Sequence, residues 1–246
     1  HVTALPVDEA SEAALDALLR DRGEEIAALI VEPRVQGAGG MLLHDDEVLR
    51  RLRRLADRHE VLLIFDEIFT GFGRTGDLFA CLGAGVTPDI ITLSKALTGG
   101  ALPLSAAVAN RKVFEAFWSD DPGAALMHGP TYMGNPLACA AANASLDLFE
   151  DGAWRGEVAR INTALAQGLA PCRDAKGVVD VRTLGAIGVV EFDHVLDSGA
   201  LSQQFAALGC GFRPMGREIY LTPSCVPSDD MLDRLTGAVH KVAGLG

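Results

Sequence analysis

The chain has 246 residues, and 49% of them are hydrophobic, which is enough apolar material for one or two buried cores. Charged residues make up 22% and aromatic residues 6%, a composition typical of a folded α/β protein and unlike that of disordered or fibrous chains. The formal net charge of -12 disfavours nucleic acid and anionic membrane surfaces as partners, because like charges repel.

Helical and strand patterns alternate over the first 110 residues. A helix is predicted over residues 9–22, ending at Gly23, and a basic amphipathic helix is predicted over 45–59. Short apolar runs predict buried strands at residues 26–31, 61–65 and 89–93 and a further strand at 104–109. Strands of this type that alternate with helices predict an α/β fold with a mainly parallel sheet covered on both faces.

A long helix is predicted to begin at Asn135-Pro136, because Asn is a favourable N-cap and Pro suits the first helical position. The helical pattern continues towards Leu169, with a break near Gly152. Further strands are predicted at 178–181, 187–192 and 219–221, with helices near 200–208 and from Ser228. The chain is therefore predicted to divide into residues 1–150, part of a large domain, and residues 151–246, a small C-terminal α/β domain.

The five cysteines are odd in number and widely spaced, and no two of them form a CxxC pair. This pattern predicts neither a disulfide framework nor a metal site, and it fits a reducing cytoplasm. No apolar run has the length of a membrane span, and the first residues are unlike a signal peptide. Because the chain starts at His1 and not at Met, we expect a fragment or a processed product.

Two charged residues are expected at one edge of the predicted sheet. Asp66 follows one buried strand and Lys95 comes two residues after another, and ligands bind at the carboxyl ends of parallel strands. A carboxylate there can hold the proton of a heteroaromatic ring nitrogen, and an amine can bond to an aldehyde. A structural ion pair explains the same spacing equally well, because charged residues are common at strand ends.

Two nearby motifs are typical of nucleotide sites but lack the required context. Residues 61–67 are similar to the acidic strand end that holds magnesium in P-loop ATPases, yet the chain has no Gly-Lys-Ser/Thr loop. Residues 71–76 match GxGxxG, but a dinucleotide fingerprint leaves its strand directly, and here residues 66–70 intervene. The sequence therefore does not predict a nucleotide site.

Two other segments could bind anionic groups. Residues 128–136 form a turn-rich loop before a helix N-terminus, where backbone N–H groups and the Thr131 hydroxyl could bind a phosphate. Arg213 precedes the predicted strand that contains Tyr220, and its guanidinium could bind a carboxylate through two hydrogen bonds. An ordinary loop and a surface arginine remain the alternatives.

Together these segments resemble the class III aminotransferases, which have the fold type I (aspartate-aminotransferase-like) of enzymes that use pyridoxal 5'-phosphate (PLP). The resemblance extends through the whole chain and rests on four stretches in order, at residues 30–33, 63–68, 71–76 and 88–100. It implies that residues 1–150 are the C-terminal portion of a large PLP-binding domain and that residues 151–246 are the small domain.

The resemblance also implies roles around the cofactor. Lys95 would hold PLP as a Schiff base and move a proton between substrate and cofactor, and Asp66 would pair with the pyridine nitrogen. The other implied cofactor contacts are Ile68 on the ring face, Pro130 and Thr131 at the phosphate, and Glu32 as support for Asp66.

Within the family, residues 36–40, 127–139 and 212–216 are most similar to members that convert 8-amino-7-oxononanoate to 7,8-diaminononanoate in biotin biosynthesis. S-adenosylmethionine or lysine is then the implied amino donor, with S-adenosylmethionine favoured. Arg213 would bind the carboxylate of 8-amino-7-oxononanoate, with Gly129, Tyr220 and Lys95 in the same pocket. Ala38 stands where relatives that use glutamate as donor usually carry a Glu that pairs with the arginine.

Finally, the resemblance implies a homodimer with active sites at the interface, and an N-terminal portion before His1 that carries part of each site. We therefore expect the isolated chain to bind PLP poorly. One alternative is another class III enzyme that acts on a diamine, a β-amino acid or an ω-amino acid. The other is a non-catalytic chain that keeps the fold for dimerisation or ligand binding.

Overall fold

The computed structural model describes residues 1–244, so residues 245 and 246, at the end of the predicted small domain, lie outside the described part. The described residues form two compact units. Unit 1 comprises His1–Val35, His44–Phe72 and Phe79–Glu150, and unit 2 comprises Gln36–Leu43, Gly73–Leu78 and the chain from Asp151 onwards. The two short segments of unit 2 lie within the first 150 residues, where only the large domain is predicted from the sequence. The domain division itself stays a prediction.

The strands and helices alternate through both units. The strands are β1 (Ala28–Val31), β2 (Val35–Gln36), β3 (Leu42–Leu43), β4 (Leu62–Asp66), β5 (Ile90–Leu93), β6 (Ala106–Ala109), β7 (Val178–Leu184), β8 (Ile187–Phe192) and β9 (Glu218–Leu221). The helices are α1 (Glu9–Arg22), α2 (Asp46–Arg58), α3 (Ala80–Ala84), α4 (Arg111–Glu115), α5 (Pro136–Asp147), α6 (Trp154–Leu169), α7 (Ser198–Ala207) and α8 (Asp229–Val242).

Unit 1 contains a four-stranded sheet in the order β1-β4-β5-β6. β1, β4 and β5 are parallel, and β6 is antiparallel to β5. The predicted α/β fold with a mainly parallel sheet is therefore confirmed. The register pairs Val31 with Phe65 and Asp66 with Thr92, so the carboxyl ends of the three parallel strands meet at one edge.

One face of this sheet forms the core of unit 1. The apolar side of α2 packs there with α1, and Leu49, Leu63 and Phe65 are fully buried. Burial of each such side chain contributes about 1.5–3 kcal/mol to stability. On the opposite face, Ile30 is 67% exposed and Ile64 is half-buried, so the expectation of cover on both faces is wrong for the described residues. The reason is that helices α1, α2, α3 and α5, which contribute to the core clusters, pack on the face of the sheet that carries Phe65.

Unit 2 is built on the antiparallel sheet β7-β8-β9, against which α6 packs. Helices α6 and α8 cross closely at Gly168, where an added Cβ would lie 2.7 Å from Cγ2 of Thr236. The ring of His240 is hydrogen-bonded to the carbonyl oxygen of Gly168 at 2.5 Å. The missing side chain of Gly168 therefore sets how near the two helices approach.

The two short segments belong to unit 2 because side chains and backbone of the β7–β8 hairpin hold them. Arg182 donates to the carbonyl oxygens of Gly40 (2.7 Å) and Met41 (3.0 Å). Arg74 donates to the carbonyl oxygen of Ala186 at 3.0 Å and accepts the N–H of Ala186 on its own carbonyl at 2.9 Å. These contacts join residues more than 100 positions apart in the sequence, which local patterns do not predict.

Candidate active site

The predicted pair of charged residues lies at one edge of the unit 1 sheet. Asp66 is the last residue of β4, and Lys95 comes two residues after the end of β5. Because β4 and β5 are parallel neighbours, both residues lie at the carboxyl end of the sheet, as predicted. They form no ion pair with each other within residues 1–244, so the structural ion pair that the spacing allows is not formed.

The carboxylate of Asp66 is oriented by the turn that follows β4. Its Oδ1 atom accepts a hydrogen bond from the backbone N–H of Ile68 at 3.0 Å, and the residue is half-buried. Among the described residues, Oδ2 has no hydrogen-bond partner. The Oδ2 atom of Asp66 can therefore accept a hydrogen bond from a ligand.

Lys95 is exposed and has an unusual backbone conformation. Its φ is +44°, a region that costs a residue with a Cβ about 1–3 kcal/mol. The backbone on either side is fixed, because the Ser94 hydroxyl donates to the carbonyl of Leu104 at 2.8 Å and the Ser145 hydroxyl donates to that of Ala96 at 3.0 Å. Strain that is held in this way is common at functional sites.

The ammonium group of Lys95 lies over an aromatic ring of the same edge. Its Nζ atom is 4.9 Å from the centroid of Phe69, a distance at which the ring face attracts a cation. Phe69 is half-buried and follows Asp66 by three residues. The turn after β4 thus supplies contacts to both candidate side chains.

Glu67 is a buried residue of this edge for which the sequence predicts no role. Its carboxylate is 0% exposed and accepts hydrogen bonds from the N–H groups of Ala80 and Cys81 and from the Thr70 hydroxyl. Burial raises the pKa of Glu67, and the three donors act in the opposite direction. The only local sequence signal for this role is that an acidic residue directly follows the apolar strand β4, on its buried side.

Glu32 and His44 lie at the neighbouring end of β1. The register between β1 and β4 pairs Val31 with Phe65, and Glu32 and Asp66 each follow a member of this pair directly. Glu32 is half-buried. The ring of His44 is hydrogen-bonded at 3.1 Å to the backbone carbonyl of Glu32, and burial lowers the pKa of His44. His44 therefore contacts the backbone at the position where the sequence predicted support for Asp66.

The 128–136 loop leads into α5 as predicted, and Gly129, Pro130 and Thr131 are exposed. Asn135 caps the helix, since its side-chain oxygen accepts the N–H groups of Leu137 (3.0 Å) and Ala138 (3.2 Å). Two of the N–H groups at this helix start are thus already bonded. A phosphate at this loop would depend on the hydroxyl of Thr131 and on N–H groups before the helix.

The predicted carboxylate-binding residues belong to unit 2. Arg213 is exposed in the segment between α7 and β9, and Tyr220 is a half-buried residue of β9. Ala38 is exposed in the β2–β3 hairpin, which Arg182 holds in the same unit. Asp66, Lys95 and Thr131 belong to unit 1.

The part of the chain that the structure describes contains no group of three or more His, Cys, Asp or Glu residues suited to a metal ion. Over the same residues, every helix is too short or too polar to cross a membrane.

Several solved structures with the same fold are aminotransferases. An adenosylmethionine-8-amino-7-oxononanoate aminotransferase from Methanocaldococcus jannaschii superposes with a TM-score of 0.89 at 27% identity, over 99% of this chain and 59% of that one. An ornithine δ-aminotransferase from Plasmodium falciparum gives a TM-score of 0.83 at 32% identity, over 95% of this chain and 58% of that one. The fold and the Asp66–Lys95 edge thus define an α/β protein of the PLP-dependent transferase fold type I. The sequence model described as Aminotransferase class-III matches residues 4–243, and the chain belongs to the class III aminotransferase family.

Two relatives in this family are named adenosylmethionine-8-amino-7-oxononanoate aminotransferase. The protein from Corynebacterium glutamicum is 42% identical over 241 residues, covering 96% of this chain and 57% of that protein. The protein from Mycobacterium leprae is 44% identical over 238 residues, covering 97% of this chain and 54% of that protein. The chain therefore spans about half the length of the curated relatives it matches.

Proposed function

We propose that this chain is part of a PLP-dependent aminotransferase that converts 8-amino-7-oxononanoate to 7,8-diaminononanoate, with S-adenosylmethionine as amino donor, in biotin biosynthesis. The observation that carries the transamination is the pair of Asp66 and Lys95 at one sheet edge. The substrate assignment is supported by the names of the relatives from Corynebacterium glutamicum and Mycobacterium leprae. The proposal includes the division into residues 1–150 of a large domain and 151–246 of a small one.

The residues at the sheet edge fit PLP. The Oδ2 atom of Asp66 can accept the proton of the pyridine nitrogen, while Oδ1 stays bonded to the N–H of Ile68. A carboxylate at this position favours the protonated ring, because an opposite charge nearby raises the pKa of the ring nitrogen. Bound PLP supplies an electron sink that stabilises negative charge on the substrate carbon.

Lys95 has two roles in the proposal. Its Nζ atom, as a neutral amine, would hold the cofactor at its aldehyde carbon, with the aldehyde oxygen leaving as water. Once the substrate's amine had replaced it, the free amine of Lys95 would carry a proton between substrate and cofactor. The fixed backbone around Ala96 limits how far Nζ can move during these steps. In the structure, the ring of Phe69 lies beside this amine.

Other residues would bind the cofactor and the substrate. We assign Ile68 to the ring face and Glu32 to the support of Asp66. Pro130 and Thr131 would bind the phosphate, in the partner's site of a homodimer. Around the substrate, the proposed contacts are Arg213 with the carboxylate of 8-amino-7-oxononanoate, and Tyr220, Gly129 and Lys95 with the rest of the molecule.

The choice of substrate depends on Ala38 and Arg213. An alanine has no charge with which to pair the arginine, so Arg213 stays available to a carboxylate in both half-reactions. In relatives that use glutamate as donor and carry an acidic residue at the position of Ala38, that residue would have to move away from the arginine before a substrate carboxylate could bind. We also place the protein in the cytoplasm, where its five cysteines would stay reduced.

An amino-transfer assay tests the function. The protein, expressed from its full coding sequence, is given 8-amino-7-oxononanoate with S-adenosylmethionine or with lysine, and formation of 7,8-diaminononanoate is measured. We expect turnover with S-adenosylmethionine, and at least about a hundredfold loss of kcat for Lys95→Ala, because both the covalent bond and the proton carrier are removed. Turnover with 4-aminobutyrate and 2-oxoglutarate alone would instead favour a different class III enzyme.

The isolated 246-residue chain is expected to bind PLP poorly, because the relatives are nearly twice as long and the rest of the site would come from the remaining sequence. The measurement is a PLP titration followed by visible absorbance, with Lys95→Ala as control. A stable band of lysine-bound PLP at full occupancy in the isolated chain, lost in Lys95→Ala, would contradict this expectation.

A further inference from the structure

A fully buried carboxylate lies directly next to Asp66 in the sequence. The Oε2 atom of Glu67 accepts hydrogen bonds from the N–H of Ala80 (2.7 Å) and from the Thr70 hydroxyl (3.1 Å), and Oε1 accepts from the N–H of Cys81 (2.9 Å). A buried charge without such donors would be costly. The proposed chemistry uses neither Glu67 nor any of its three partners.

The three donors come from both ends of the segment that joins β4 to α3. Thr70 lies in the turn after β4, and this turn is tight, since the N–H of Gly71 donates to the carbonyl of Glu67 at 3.0 Å. A Cβ on Gly71 would lie 2.9 Å from that carbonyl oxygen. Ala80 and Cys81 begin α3, whose N-cap residue makes no side-chain capping bond. Glu67 therefore ties the turn after β4 to the start of α3.

The same turn orients Asp66. Asp66 and Glu67 are consecutive, so their side chains point to opposite sides of the strand end, one half-buried and one buried. The N–H that bonds to Oδ1 of Asp66 belongs to Ile68, the residue immediately after Glu67. A change in the conformation of Glu67 would therefore move this donor away from the Asp66 carboxylate.

We propose that Glu67 is a positioning residue for Asp66. By holding the turn through Thr70, Ala80 and Cys81, it keeps the N–H of Ile68 on Oδ1 and leaves Oδ2 for the ring nitrogen of the cofactor. The assignment rests on the proposed function for its purpose. The hydrogen bond between Ile68 and Asp66, however, can be measured without any cofactor.

The test is Glu67→Gln in the 246-residue chain, observed by NMR of the backbone amides. A glutamine keeps the size but puts an NH2 group against one of the N–H donors, so one capping bond is lost. In the unaltered protein, the Ile68 amide should exchange slowly with solvent, because it donates to Oδ1 of Asp66 at 3.0 Å. In the variant this protection should fall, so that exchange of the Ile68 amide with solvent rises about tenfold.

Asp89 provides a matched control at the opposite edge of the same sheet. It is 8% exposed and precedes β5, and its Oδ2 accepts the N–H of Leu63 at 2.8 Å and pairs with Arg53 at 2.9 Å. Asp89→Asn should lower the melting temperature by an amount comparable with Glu67→Gln. It should leave the exchange of the Ile68 amide unchanged.

Thr70→Val keeps the assignment testable if Glu67→Gln does not fold. It removes only the 3.1 Å hydroxyl donor, so a smaller change of the Ile68 amide in the same direction is expected. An unchanged Ile68 amide in folded Glu67→Gln, or in Thr70→Val if the former is unfolded, overturns the positioning role. Failure of the proposed function would appear separately, as absence of amino transfer by the protein from its full coding sequence.

Discussion

The backbone conformation of Lys95 carries an energetic cost. At φ +44°, the Cβ atom of a side chain crowds the backbone, whereas glycine, which has no Cβ, would adopt this conformation without strain. The neighbouring bonds from Ser94 and Ser145 hold the backbone in place. The lysine is thus kept at a position where another residue would be more stable, which is typical of functional sites.

Comparison of Lys95→Gly with Lys95→Ala tests this interpretation. Both variants remove the amine and the contact with Phe69, and they differ only by one methyl group. Lys95→Gly should be more stable than Lys95→Ala by about 0.5–1 kcal/mol, because relief of strain exceeds the extra entropy of glycine in the unfolded chain. Urea unfolding of the two variants measures the difference. Equal stability, or a more stable alanine variant, would contradict the strain at this position.

His44 gives the stability of the protein a pH dependence. Burial lowers its pKa, so the folded state holds the neutral ring where the unfolded state would bind a proton. The stabilising contribution is complete above the ordinary histidine pKa of about 6.5 and is lost as the pH falls below it. The melting temperature should therefore decrease from pH 7 to pH 5.5.

His44→Gln is the control, because a glutamine amide can still donate to the carbonyl of Glu32 but does not titrate. The decrease between pH 7 and pH 5.5 should be smaller in this variant. Asp16 affects stability over a different pH range. Its hydrogen bonds with His59 and Arg58 lower its pKa, so its contribution to the stability of the fold is lost only when the pH falls below the ordinary carboxyl range. An identical pH profile in His44→Gln would exclude His44 as the cause.

At the scale of elements, local patterns predict most helices and strands. The apolar run at 187–192 matches β8, Gly23 caps α1, and Asn135 caps α5. The elements that sequence missed are short, as in β2, β3 and α3, because two to five residues carry too little periodicity. The strand at 104–109 was expected, but its antiparallel direction depends on pairing with β5.

The same distinction applies to the candidate site. Asp66 and Lys95 were predictable because both follow apolar strands whose ends can be recognised locally. The role of Glu67 was not, since its partners Ala80 and Cys81 lie 13 and 14 positions further on, in a helix of five residues. The close crossing of α6 and α8 is likewise a contact between distant parts of the sequence.

Gly168→Ala tests that crossing. The new methyl group would lie 2.7 Å from Cγ2 of Thr236, and overpacking of this kind costs about 1–3 kcal/mol, against a gain in helix propensity of about 1 kcal/mol. We expect a net loss of stability of about 1–2 kcal/mol in denaturant unfolding. Gly156→Ala, in the same helix but with open space around it, should be neutral or stabilising.

Addition of Thr236→Ala to Gly168→Ala should recover part of the lost stability, since the two sites are in contact and their effects are not additive. A double variant that loses the sum of the two single effects would show that the close approach of α6 to α8 is not the cause.

At the scale of the whole molecule, the chain enters unit 2 twice before its C-terminal part begins, at Gln36–Leu43 and at Gly73–Leu78. Arg182 holds the first segment by donating to the carbonyl oxygen of Gly40. Arg74, which lies in the second segment, holds it by donating to the carbonyl oxygen of Ala186. The first segment carries Ala38, to which the proposal gives a role in substrate choice. Its placement therefore depends on a residue of β7 that is more than 140 positions away.

Arg182→Lys should release the first segment. The guanidinium of Arg182 bonds simultaneously to two carbonyls and to Asp180 and Glu191, and its side chain is 12% exposed. A single ammonium cannot reproduce this geometry, so we expect a loss of about 2 kcal/mol of stability and faster amide exchange over residues 37–43. Arg173→Lys is the matched control, because Arg173 bonds to one carbonyl, that of Val181, at 2.8 Å. If exchange over 37–43 rises equally in both variants, or in neither, then Arg182 is not what fixes the segment that carries Ala38.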